Sequence, residues 1–213
     1  MSHASHAGVT RRIVVLVSGN GSNLQALLDA HLRGVEIVLV VSNRKAAFAL
    51  ERARQAGVAS AYLPLKPVLD AGGTRDDYEQ TLGQLILDKQ PDVIVLAGWM
   101  HVLGAPFITR LAGIPIINLH PALPGQFDGT QSIERAFRAW ERGEIMHSGC
   151  MVHHVIPAVD AGPVVEACVV PFRPGDTLES FEARLHEAEH ALIVSAVRQV
   201  LGLAQAGRHD SLR

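Results

Sequence analysis

The run Ser18-Gly19-Asn20-Gly21-Ser22-Asn23 closes a stretch of β-branched residues and opens a helical pattern. Glycines at such a junction let the backbone turn sharply, so that several N–H groups converge on an anion at a helix N-terminus. Leu24 stands where a dinucleotide fingerprint has its third glycine, and no Gly-Lys-Ser/Thr follows, so neither that fingerprint nor a P-loop is present. What remains suits a phosphate monoester, with Ser22 and Asn23 adding side-chain donors; the alternative is a plain glycine-rich strand-to-helix turn. A second cluster is Asn118-Leu119-His120-Pro121, at the end of an apolar run. Strand alternation puts Asn118 and His120 on one side. An amide beside an imidazole there could stabilise a developing oxyanion and relay a proton, although a core histidine satisfied by backbone fits the same four residues. Asp160, in Val159-Asp160-Ala161-Gly162, is on its own a turn former. It gains a role only if the fold brings it to His120, where its charge would favour the imidazolium.

His186-Glu187-Ala188-Glu189-His190 matches the H-E-x-x-H pattern of zinc hydrolases on a helical stretch. A third ligand is hard to find. Ile193 occupies the glycine position of the longer metzincin pattern, and downstream only His209 and Asp210 are available. Five residues match readily by chance, and no metal is expected. His153 and His154 are strand neighbours that point to opposite faces, so they do not easily share a metal. Trp99 and Met100 follow an apolar run; such residues usually pack, but at a strand's carboxyl end a flat ligand could lie on them.

The elements that must hold these groups read as follows. Strands are expected at 12–18, 36–42, 59–63, 93–96 and 115–119, and helices at 23–33, 45–56 and from Thr74, which caps a helix whose Tyr78, Leu82, Leu85 and Ile86 share a face. Residues 66–74 read as a loop. In the second half a helix is expected at 131–142, two strands at 149–156 and 163–171 joined as a hairpin, and a long helix through Leu178, Phe181, Leu185, Ala188 and Leu192. The first-half strands are nearly continuous apolar runs, which predicts an α/β fold with a mainly parallel sheet covered by helices on both faces. The expected organisation is an N-terminal extension at 1–10, one domain at 11–205 and a tail at 206–213. The domain divides into a phosphate-binding half at 11–110 and a more irregular half at 111–205.

The chain has 213 residues, with 19 Lys+Arg against 21 Asp+Glu, so it has no bulk attraction for nucleic acid or anionic membrane and must hold any anion locally. Its 2 cysteines make neither a disulfide framework nor a four-ligand zinc site. No apolar run approaches the roughly 18 residues of a membrane span, and residues 1–10 do not read as a signal peptide. A cytoplasmic enzyme is expected.

Taken together, the segments RIVVLVSGNGSNLQAL at 12–27, SNRKAAFALERARQAG at 42–57, PDVIVLAGWMHVL at 91–103, INLHPALP at 117–124 and VDAGPVV at 159–165 resemble the phosphoribosylglycinamide formyltransferase family. The likeness runs from about residue 12 to about residue 201. It implies a Rossmann-like sheet with an active site between the two halves, and formyl transfer from 10-formyltetrahydrofolate, the co-substrate, to the amine of glycinamide ribonucleotide in purine synthesis. It implies catalysis by Asn118, His120 and Asp160, with Asp160 holding His120 oriented and charged. It places the ribonucleotide against Gly21, Ser22, Asn23, Leu24, Gln25, His186, Glu187, Ala188 and Glu189. It places the folate against Arg75, Met100, His101, Val102, Leu103, Asn118, Ile156, Pro157, Ala158, Val159 and Asp160. His101 stands where the family often has arginine, and Cys150-Met151 replaces the more usual Thr-Ser. Small-molecule substrates, no nucleic acid, no membrane, and a monomer or homodimer are expected. A transfer-RNA formyltransferase would carry a further basic domain, and a formyltetrahydrofolate hydrolase a regulatory one. A non-catalytic sensor would have no use for the trio.

Overall fold

A computed structural model describes residues 10–203. The extension expected at 1–10, apart from Thr10, and the tail at 206–213 with His209 and Asp210 lie outside the described residues. Strands β1 (Arg11–Val17), β2 (Val35–Ser42), β3 (Ser60–Tyr62), β4 (Val93–Leu96), β5 (Ile116–His120), β6 (His147–His154) and β7 (Val164–Pro171) form one seven-stranded sheet in the order β3-β2-β1-β4-β5-β6-β7. β3 to β5 are mutually parallel; β6 and β7 are added antiparallel, as the expected hairpin.

Alternation along the strands divides the core in two. Ile13, Val15 and Val17 face α1 (Ser22–Asp29), α2 (Phe48–Gln55), α6 (Ser132–Glu141) and α7 (Leu178–Val200), in a cluster with Leu24, Ala49, Phe137 and Phe181. Val14 and Leu16 face α4 (Arg75–Leu87) and α5 (Ala105–Arg110), in a cluster with Tyr78, Leu82, Ile86 and Phe107. The central strands are buried on both sides, which is why they are apolar without interruption. Thr74 caps α4 in a capping box with Asp77, and Thr177 caps α7 with Ser180.

Two expectations need correction. Residues 66–70, read as loop, form the short helix α3 (Lys66–Asp70). Pro67 sits in its first turn, where a fixed φ favours a helix, and a Lys66–Asp70 ion pair of 2.8 Å spans it. Nor does α1 run to residue 33: His31 at φ 42° and Gly34 at φ 71° turn the chain into β2.

From β1 the sheet grows outward to β2 and β3, and from β4 it grows the other way to β5. The crossovers diverge between β1 and β4, which leaves a crevice at the carboxyl ends of these strands. All four chemical clusters of the sequence lie at or near that end.

Candidate active site

The carboxyl end of β5 carries Asn118 and His120. β6 runs antiparallel to it and sets His153 directly opposite Asn118. The chain leaving β6 then doubles back at Asp160, whose φ of 49° is in the left-handed region. Gly162 makes this return fit, because a Cβ there would collide with the carbonyl oxygen of His154. One carboxylate thereby meets four groups. Asp160 Oδ1 accepts from Asn118 Nδ2 at 3.3 Å and lies 3.4 Å from His153 Nε2. Asp160 Oδ2 accepts from the Gly129 N–H at 2.8 Å and lies 3.4 Å from His120 Nδ1. His153 Nε2 is also 3.1 Å from Asn118 Nδ2, and its Nδ1 is 3.0 Å from the His154 carbonyl, which fixes the ring.

Burial pushes the Asp160 carboxyl up, but the His153 contact, the Gly129 N–H and the two imidazoles together hold it below the ordinary carboxylate value. His120 is 4% exposed, and burial lowers its pKa from the usual 6.5. Asp160 and the Phe127 carbonyl pull it back up without overcoming burial. Asp160 orients the ring through Nδ1 and restores part of its proton affinity.

These groups floor a cleft of about 360 Å3. Of the residues singled out from sequence, it is lined by Asn23, Trp99, Met100, His101, Val102, Leu103, Asn118, Leu119, His120, Pro121, His153, Ile156, Ala158, Val159, Asp160, His186 and Glu189. Gly21, Ser22, Leu24, Gln25, Arg75, Pro157, Glu187 and Ala188 are not in its lining. Leu24 is a fully buried core residue, and Gln25 is bonded to Asp29 and Arg52. Glu187 is exposed, Ala188 packs against the core, and Pro157 is exposed on the turn. Met100, Val102, Ile156 and Val159 form an exposed apolar rim.

At one end of the cleft, Gly21 caps α1 at φ 77°, and a Cβ there would lie 2.6 Å from the Ala49 Cβ. The first helical bond runs from Gln25 N–H to the Gly21 carbonyl at 2.9 Å, so the N–H groups of Ser22, Asn23 and Leu24 have no intrahelical partner. Arg52 braces this turn by donating to the backbone and side-chain oxygens of Asn20, each at 2.9 Å. At another wall α7 presents Glu189, whose side chain is 5% exposed and accepts from His186 Nδ1 at 2.7 Å. That bond raises the His186 pKa above 6.5 against the pull of burial. The third wall follows β4: His101 packs edge-on against Trp99 and Tyr78, with Nε2 2.8 Å from Asn43 Nδ2. Burial, then Arg75 and Arg44, hold the His101 pKa below 6.5.

Sequence reasoning missed His153 as a member of the site, having weighed it only as a metal ligand. The available signal was the hairpin: alternation in a strand paired to β5 puts His153 on the face of Asn118. Among the described residues no group of three or more His, Cys, Asp or Glu is placed to hold a metal.

Residues 11–197 match the family described as formyl transferase. The phosphoribosylglycinamide formyltransferase of Schizosaccharomyces pombe is 45% identical over 199 residues, covering 89% of this chain and 96% of the relative. That of Saccharomyces cerevisiae is 42% identical, with 89% and 97% covered. Among solved structures, the phosphoribosylglycinamide formyltransferase of Streptococcus pneumoniae superposes with a TM-score of 0.80 at 36% identity, over 90% of this chain and 99% of that one.

Proposed function

Because the chain belongs to the formyl transferase family, we propose that it transfers a formyl group from 10-formyltetrahydrofolate to the amine of glycinamide ribonucleotide, a step of purine synthesis. The observation that carries this reading is the single carboxylate of Asp160 in contact with Asn118, His120 and His153 on the floor of the cleft. Asn23 of the phosphate-suited α1 turn and the apolar rim line the same cleft.

In this reading the phosphate of the ribonucleotide rests on the N–H groups of Ser22, Asn23 and Leu24, with Gly21 giving the turn and Gln25 held beside it. Leu24 contributes backbone only. Glu189, with His186 beside it, accepts hydrogen bonds from the sugar or the amine. The pterin end of the folate lies along Met100, His101, Val102 and Leu103 and under Ile156 to Asp160. The neutral amine attacks the formyl carbon; a C–N bond forms and the carbonyl electron pair moves to oxygen. Asn118 Nδ2 and His120 donate to that oxyanion, and preorganised donors of this kind supply the largest single share of catalysis in acyl transfer. Asp160 holds His120 oriented, and its negative charge favours the protonated ring that faces the developing oxyanion. The intermediate collapses by breaking the bond to the folate nitrogen. A water held by Asp160 carries the proton from the attacking amine to that leaving nitrogen. No step draws on a metal.

We place the reaction in the cytoplasm and its catalyst as a monomer or homodimer with small-molecule substrates. Among the described residues no helix is long and apolar enough to cross a membrane. The test is the absorbance change on mixing protein, formylated folate and glycinamide ribonucleotide. Turnover is expected only with all three present. Release of formate at the same rate without the ribonucleotide would identify a hydrolase instead.

A further inference from the structure

We propose that Glu79 is a positioning residue for the formyl donor, its buried carboxylate holding the Met100–Leu103 wall of the cleft through the Gly104 N–H and through Arg75. This rests on the reading of that wall as the donor's side of the cleft.

The link from β4 to α5, residues 97–104, is irregular, so its peptide groups must find partners outside regular ladders. Its near end is tied to β1's exit: Ser18 N–H donates to the Gly98 carbonyl at 3.0 Å, and Ser18 Oγ accepts from Met100 N–H at 2.9 Å. Its far end is tied to α4. The Gly104 N–H points between both Glu79 oxygens, at 3.1 and 3.2 Å. Arg75 Nε donates to Glu79 Oε1 at 3.0 Å, and Arg75 Nη2 donates to the Val102 carbonyl. The approach is tight, since a Cβ on residue 104 would lie 2.7 Å from Glu79 Oε2. Between the two ties, among the described residues, no hydrogen bond reaches the N–H groups of His101, Val102 and Leu103. Those groups belong to residues that line the cleft.

Glu79 is 2% exposed and sits on the face of α4 that carries Tyr78, Leu82 and Ile86. A carboxylate there is a costly choice for packing alone, because a buried charge is tolerated only when paired and hydrogen-bonded. Its partners are a loop amide and the arginine that grips the same loop. The carboxylate is not in the lining of the cleft, so it acts through the wall and not by contact.

The experiment compares Glu79→Gln, which keeps size and one acceptor, with Glu79→Leu, which keeps only packing, by steady-state kinetics with each substrate varied in turn. Loss of a hydrogen bond to a charged group corresponds to about a tenfold effect, so Glu79→Gln should raise KM for the formylated folate about tenfold, leave kcat within about twofold and leave KM for the ribonucleotide unchanged. Glu79→Leu should raise the donor KM further. Amide exchange at Gly104 should quicken in Glu79→Gln while exchange in β1 and β4 stays as in the parent. An unchanged donor KM in Glu79→Gln would overturn the inference. So would a fall of both affinities together with the melting temperature, which marks a merely structural role. A parent protein without donor-dependent turnover would overturn the functional reading and this inference with it, so the two failures are distinguishable.

Discussion

Asp160 is held in a conformation that costs a non-glycine residue free energy. Its φ of 49° is kept by the Gly162 return and by the Gly129 N–H on its carboxylate. What the strain secures is contact with Asn118, His120 and His153 at once. Asp160→Asn should therefore keep the fold and substrate affinity while lowering turnover about a hundredfold, the scale of losing general acid–base support. The titration of His120 supplies a second check. Burial lowers its pKa and the Asp160 charge raises it. Removing that charge leaves burial less opposed, so in Asp160→Asn the ring should titrate at still lower pH by NMR. Wild-type turnover with an unmoved His120 titration would reduce Asp160 to a turn former. At this scale the sequence was legible only in part. Asn118 and His120 are readable from alternation, because both lie in one short strand. Asp160 and His153 come from a return loop and a hairpin strand, and their meeting depends on a register that no local pattern encodes.

On α7 the helical period decides which residues of the H-E-x-x-H match can matter. Phe181, Leu185, Leu192 and Ile193 fix the face turned to the sheet; Glu189 falls on that face and lines the cleft, whereas Glu187 falls outside and is exposed. A zinc hydrolase would need Glu187 at the metal. The structure puts it in solvent and pairs His186 with Glu189 and, at 3.5 Å, with Glu182. Glu189→Gln should weaken ribonucleotide binding about tenfold or more, as expected for loss of a charged acceptor, and Glu187→Gln should leave it within about twofold. Turnover should persist in excess chelator. Equal effects of the two substitutions on the ribonucleotide Kd, or activity lost to chelator and restored by zinc, would contradict this assignment. The long amphipathic elements were legible because each carries a cap and a repeated apolar face. The short α3 was not, because its five residues hold no full period and lie beside Gly72-Gly73.

Across the whole molecule, the parallel order of β1 to β5 followed from apolar runs alternating with helical patterns, and it places strand ends, and so the site, before any side chain is considered. What no pattern revealed is the far side of the cleft, where the β6–β7 hairpin and α7 close onto the first half. Those contacts join residues far apart in the chain. The phosphate reading depends on this global arrangement. With a formal charge of −2 the chain does not attract anions in bulk, and Arg52 beside the α1 turn is bonded to Asn20 and Gln25. In the proposed reading, affinity for the phosphate comes from the free N–H groups at the start of α1, aided by the positive end of its dipole. Charge-assisted hydrogen bonds to such a group are roughly twice as strong as neutral ones, so glycinamide riboside, which lacks the phosphate, should bind about a hundredfold more weakly than the ribonucleotide. Added salt should weaken the ribonucleotide and not the riboside, because only the former brings a charge to be screened. Calorimetric titration of both ligands at two ionic strengths makes the comparison. Equal affinity for the two would remove the α1 turn from the site and leave Gly21 to Gln25 as an ordinary strand-to-helix connection.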